Sequence, residues 1–352
     1  MITTSAGRLF FGINELLAGA SELPSTAQFP VIRGHLDLAL GEIWNIEFFP
    51  FTFYTERRYF RQNWSSASTY NKTNEVYDAA TQQYFQCLRN SVTGSGQSPT
   101  DSNGDERSAY WALCKSSYAG ADWVTATAYT VGTIIFYPVT NAYCQCHTAH
   151  TSSGTLVPDA TSSNERWGVL TPFQRYVDHA QSWETNLIGT VFDVKDADPR
   201  VTRRWNSLTK RAQLDRTYVV ESVASCWVEF RLRRPRLTGT FYDATLAYAV
   251  GDQVYFTTSA GVGNFYTCTA TASAGDTPAT DTDKWSIVEI PLAFEGYLIN
   301  AAFAKSMLGE EDSSRRAQAM SAAQDYLVLL LDEHFRQNPA PTISPRTYAS
   351  AP

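Results

Sequence analysis

Three stretches of the chain repeat one order of aromatic, β-branched and turn-forming positions. The clearest copy runs from Ala247 to Trp285, AYAVGDQVYFTTSAGVGNFYTCTATASAGDTPATDTDKW. Tyr248 opens it, Gly251-Asp252 makes a turn, and Val254-Tyr255-Phe256 reads as a strand. Ser259 to Gly263 is a second turn and Phe265-Tyr266-Thr267-Cys268 a second strand, after which a loop holding Pro278 leads to Trp285. Short aromatic and β-branched runs punctuated by Gly and Asp signal β-hairpins. The first copy starts at Tyr70 and passes through Tyr84-Phe85-Gln86-Cys87 and Pro99 to Trp111. The second starts at Tyr129 and passes through Tyr143-Cys144-Gln145-Cys146 and Pro158 to Trp167. Tyr-to-Cys spacing is identical in the first two copies and three residues longer in the third, where the extra length falls in the hairpin tip.

Outside the repeats the period changes. Residues 9 to 47 read as helical, with Leu16-Leu17 in a first short helix and breaks at Pro24 and Pro30. Val31 to Trp44 then carries Ile32, Leu36, Leu38, Leu40, Ile43 and Trp44 at near-helical spacing. Phe48 to Trp64 alternates aromatic with polar residues and turns into strand; Arg57-Arg58 beside Glu56 reads as a solvated ion-pair rim rather than a phosphate clamp. Pro172 to Leu187 predicts a short helix with Phe173, Tyr176 and Trp183, and Ile188 to Val194 and Tyr218 to Arg236 predict long strands.

Toward the C-terminus, Pro291 to Leu308 puts Phe294, Leu298, Ala301, Ala302 and Met307 or Leu308 on one helix face. Gly309 stops that helix and Glu310 to Ser314 caps the next, Ser313 to Asn338, whose stripe is Ala317, Met320, Ala323, Leu327, Leu330 and His334. Leu327 to Leu331 is apolar all round, which calls for burial on two sides, against the chain's own first helices and against a neighbouring subunit. The tail NPAPTISPRTYASAP reads as an extended arm that orders on a partner.

The expected fold class is α+β: a helical base formed by both chain ends, a long β-hairpin or strand segment, and three small three-stranded antiparallel β modules. The divisions are 1–63, N-terminal helical part; 64–114 and 123–170, repeats one and two; and 171–240, basic helix and long-strand segment. Repeat three occupies 241–290, the C-terminal helix pair 291–338, and the arm 339–352.

Composition adds three constraints. At 352 residues, with 43% hydrophobic and 18% charged residues and a mean hydropathy of −0.27, the chain is folded and holds more than one core. A net charge of −7 argues against a protein that coats nucleic acid. Between Arg203 and Arg236, however, nine basic residues meet three acids, a local +6. Arg203, Arg204, Lys210, Arg211, Arg231, Arg233, Arg234 and Arg236 are therefore candidate contacts to DNA or another anionic surface, with an ordinary mixed surface as the alternative. No segment is long and apolar enough to span a membrane, and Asn14 and Glu15 interrupt the N-terminal apolar run too early for a signal peptide. The six cysteines share no pairing scheme across the repeats, and one per copy lies inside a strand, so free buried thiols in a cytoplasm-made protein are expected.

Candidate chemistry is sparse. Cys144-x-Cys146 beside His147 and His150 has poor spacing for a zinc knuckle, and no second pair accompanies it. The acids Glu310-Glu311-Asp312 suit a helix start, and Asp193, Asp196 and Asp198 fall in a turn; neither set frames a glycosidic bond. Phosphate-binding Gly loops, nucleophile elbows and His-Glu-x-x-His are missing from the sequence. The expectation is no enzyme, no metal and no cofactor.

Two resemblances fit these residues. The repeat resembles the small chitin-binding carbohydrate modules of bacterial chitinases; Tyr248, Gly251-Asp252, Val254-Tyr255, Tyr266, Cys268, Pro278 and Trp285 carry the match best. Repeat two keeps Trp123, Tyr129, Gly132, Cys146, Pro158 and Trp167, whereas repeat one has Thr73-Asn74 for the Gly-Asp turn. The resemblance implies twisted three-stranded sheets and names Tyr77, Trp111, Trp167, Tyr255 and Trp285 as candidate glycan-stacking rings, with core packing as the alternative.

The parts outside the repeats, Tyr218 to Gly239 and the helix pair Tyr297 to Gln337 with its Pro-rich arm, resemble tailed-phage head-to-tail connector proteins. That resemblance implies a virion neck protein made in the host cytoplasm, a dodecameric homo-oligomeric adaptor ring under the portal, and contact with a downstream neck or tail protein. Pro339, Pro341, Ile343, Pro345, Arg346 and Tyr348 would be the portal-docking arm, DNA in the channel would be a further partner, and the modules would project outwards. The alternative is a virion or lectin-like protein that attaches to host or capsid-surface glycan through the module aromatics.

Overall fold

The computed structural model describes residues 2–19, 23–46, 49–93, 95–158, 166–180, 186–202, 204–259, 262–307 and 313–337. Its architecture is α+β, with helices near both chain ends and small, mostly antiparallel sheets between them. The chain divides into two compact units, Met1–Phe53 with Arg231–Pro352, and Tyr54–Phe230.

In the first unit, α1 (Ala6–Ala18) starts because the Ser5 hydroxyl accepts the Arg8 N–H, and ends where Gly19 turns left-handed at φ 67°. Ahead of it, Thr3–Thr4 pairs with Ile290–Pro291, and Glu295 accepts both the Thr4 hydroxyl at 2.6 Å and the Arg8 guanidinium at 2.7 Å. The two ends of the chain are thus tied. Helix α2 (Phe29–Ile46) buries Phe29, Ile32, Leu36, Ala39, Leu40, Ile43 and Trp44. Pro30 lies in its first turn, where a missing N–H costs nothing, so it opens α2 rather than breaking the chain. Leu38, placed in the buried stripe by spacing, is instead 59% exposed.

Helix α3 (Glu295–Ser306) packs against α1, α2 and α4 (Ser313–Gln337). It is buried nearly all round, through Tyr297, Leu298, Ala301, Ala302, Phe303 and Ala304, as expected of a helix covered on several sides. Gly296 admits the Tyr326 ring of α4, since a Cβ there would lie 2.5 Å from it. The stripe α4 buries is Ala319 and Ala323, with Leu327, Leu330 and Leu331 partly covered, whereas Ala317 and Met320 are exposed. Small residues at the contact let the two helices approach closely, which rotates the stripe away from the one that spacing alone selects. The His334 side chain, Leu308, Gly309 and Glu310 to Asp312 lie outside the described residues, as does the arm 339–352.

The three repeats share one geometry. In each, a Tyr side chain accepts the N–H five residues back: Tyr70 from Ser65 at 2.7 Å, Tyr129 from Val124 at 2.9 Å, Tyr248 from Asp243 at 2.8 Å. The same Tyr meets the closing Trp edge to face, at 5.4 Å for Tyr70–Trp111, 5.0 Å for Tyr129–Trp167 and 5.3 Å for Tyr248–Trp285. Cys87, Cys146 and Cys268 sit in register with those Trp residues. The turn position before the first strand has positive φ in all three, at Thr73 (69°), Gly132 (89°) and Gly251 (97°). Repeats two and three gain a short parallel edge strand, Ala121–Asp122 and Thr240–Phe241. Before each stands a glycine, Gly120 or Gly239, whose Cβ would strike the neighbouring strand's carbonyl.

Each module sheet has an inner face closed by the Tyr–Trp pair and an outer face that needs another cover. Repeat three lies in the helical unit, and its outer-face rings Tyr255 and Phe265 pack on Phe10 of α1 (5.4 and 6.0 Å) and Phe29 of α2 (5.1 and 6.3 Å). It is therefore part of the helical core rather than a projecting loop. Repeats one and two, in the other unit, cover each other. Gln86 donates to the Val169 carbonyl at 2.6 Å and accepts the Thr171 N–H at 2.9 Å, while the equivalent Gln145 donates toward the Trp111 carbonyl at 3.4 Å. Gly168 lets the two repeats close up, because a Cβ there would lie 2.8 Å from Leu88 Cβ.

The remaining strands, all but Phe53 and Arg231–Leu232 within the second unit, form two sheets. One orders Tyr176–Asp178, Arg216–Val219 and Lys210–Ala212; the other orders Ile188–Lys195, Cys226–Leu232 and Phe53–Arg58. Three expectations need correction. The stretch from Pro172 holds no helix at its start: Phe173 is in irregular chain and Tyr176 in a strand whose Val177 is fully buried, while 181–185 lie outside the described residues. Tyr218 to Arg236 is also not one strand, because a Ser-containing turn at 220–225 splits it and Pro235 removes a ladder N–H. Arg58, expected on a solvated rim, is 1% exposed and donates to Glu56 at 2.8 Å and the Asn186 carbonyl at 2.6 Å.

Two substitutions probe this construction. Thr73→Gly relieves a left-handed conformation that a β-branched residue adopts at a cost of about 1 kcal/mol, so the melting temperature should rise. Gly168→Ala overpacks the pair of repeats by about 1–3 kcal/mol, and the same thermal melt should move down by several degrees.

Candidate assembly surface

The five rings offered to sugar by the first resemblance are all buried, none more than 4% exposed. Trp111, Trp167 and Trp285 close the inner faces of their modules. Tyr77 lies against Tyr59 at 4.5 Å and Tyr84 at 5.1 Å, and Tyr255 sits among Phe10, Phe29 and Phe265. These rings are cores, and no sugar can stack on them as they stand. The aromatic spacing alone could not distinguish the two uses, because a minimal sheet and a sugar platform both demand Tyr and Trp.

The basic residues also disperse. Arg203 lies outside the described residues. Arg204, Lys210 and Arg211 belong to one unit, Arg231 to Arg236 to the other. Lys210 donates to the Phe192 carbonyl, and the Arg211 guanidinium lies over the Tyr218 ring at 5.1 Å. Arg231 is buried over Trp44 at 5.6 Å. Arg234 fits against Gly41 and donates to the Asp37 carbonyl at 2.6 Å and to its carboxylate at 3.2 Å. Arg236 lies 3.9 Å from that carboxylate but stays 70% exposed, and Arg233 is exposed. What reads as a single basic run is thus partly an anchor: with Arg33, which donates to the Thr238 and Gly239 carbonyls at 2.8 and 2.7 Å, it straps the segment before repeat three onto α2. Arg33 and Asp37 of α2 are the structural partners that a search for basic runs overlooks.

Nucleophiles and metal ligands are subdued. All six cysteines are free, and all but Cys114 are buried. Burial pushes the thiols up, to about 11 for Cys87 and about 12 for Cys144 and Cys226. Cys146 lies 3.7 Å from His150 Nδ1, and His147 Nδ1 is 3.0 Å from the Thr148 hydroxyl. Among the described residues no three His, Cys, Asp or Glu side chains gather to hold a metal ion, and no helix is long and apolar enough to cross a membrane.

One feature of the surface stands out against this quiet background. Helix α4 leaves Met320, Tyr326, Val328 and Leu329 exposed, the last two at 63% and 65%. Leu327, Leu330 and Leu331 turn toward the unit's own core instead. Helix α2 exposes Val31 and Leu38. Apolar side chains grouped along a helix, rather than scattered, mark a contact surface. Comparison of the sequence with protein-family models and with curated proteins finds no match, so the residues themselves carry the functional reading.

The thiol environment is open to a direct check. Because raised thiol pKa values keep the reactive thiolate scarce, Ellman's reagent at about pH 8 should label the folded protein slowly and all six cysteines promptly in denaturant.

Proposed function

We propose that this chain is a structural component of a tailed-phage virion, an adaptor that self-assembles into a ring under the portal and joins it to the next neck or tail protein. The observation that carries the reading is the exposed apolar face of α4, on a helical unit built from both ends of the chain. A partner must cover that face, and repeated copies of a subunit are the commonest way to do so. The burial of all five module rings supports the same reading, since it leaves the glycan-binding alternative without a stacking platform. In this role the modules act as packing units: one completes the helical unit and two clasp each other. The arm 339–352 reaches the portal, and the exposed arginines meet neighbouring subunits or DNA in the channel.

Light scattering on the purified protein, alone and with a portal ring, tests this. A species near a dozen times 39.2 kDa is expected, alone or on adding the portal. Removing residues 339–352 should abolish portal binding but not folding. Val328→Asp with Leu329→Asp should yield a monomer with unchanged circular dichroism. A wild-type chain that stays monomeric beside the portal overturns the proposal.

A further inference from the structure

We draw no further inference here: the strongest candidate, the exposed aliphatic pair Val328 and Leu329 on the outer face of α4, belongs to the assembly surface already described, and nothing in the structure shows what covers it.

Discussion

A sheet of three strands, each three to seven residues long, has two faces and too little area to hide either without help. In this chain one face is closed locally by a Tyr–Trp pair and a buried cysteine, and the other must be closed by something distant in sequence. The organisation of both units follows from how that second face is covered. In the helical unit, Tyr255 and Phe265 enter the aromatic cluster of Phe10 and Phe29, so repeat three is a wall of the core and α1 has something to fold against. In the other unit, repeats one and two are each other's cover, and polar Gln86 and Gln145 at the contact are tolerated because Gln86 finds backbone partners and Gln145 donates to the Glu106 carboxylate at 2.9 Å.

This division explains which parts of the fold were legible in the sequence. The inner face is local: Tyr, turn, Cys and Trp recur at fixed spacing, so the repeats can be read off directly, down to the left-handed turn that Thr73 fills without a glycine. Gly120 and Gly239, three residues before Trp123 and Tyr242, were a further local signal for the parallel edge strand. The outer face is not local. Nothing near Tyr255 says that it will meet Phe29 rather than a sugar, and nothing near Gly168 says that Leu88 will lie against it. The helices show the same limit. Helical spacing locates α2 and α4, but which flank is buried depends on the neighbour, and Leu38 and Met320 fall on the outer flank once α3 takes the centre.

Charge was legible as a quantity and misleading as a place. The excess between Arg203 and Arg236 is real, yet the fold divides it between two units and uses Arg234 and the buried Arg231 for internal contacts. Of that run, Arg233 and Arg236 remain outward in the helical unit, Arg236 beside the acid that anchors the segment. An exposed ion pair is worth little by itself. Charge of this kind acts on the direction and rate of association more than on affinity.

The same reasoning bears on why α4 keeps so much aliphatic surface open. Helical propensity favours Leu no more than Lys or Glu on a solvated face, so propensity alone gives no cause for Val328 and Leu329 to be where they are. Val is in fact the poorer helix former. Covered on both sides, each would contribute about 1.5–3 kcal/mol through burial. Left uncovered, the pair invites unspecific association. The inner flank, Ala319 and Ala323, is small enough to seat the helix closely on α3, whereas Val328 and Leu329 stay exposed on the outer flank. The inner contact fixes where the helix lies; on the assembly reading proposed above, the outer side chains are there for a second contact.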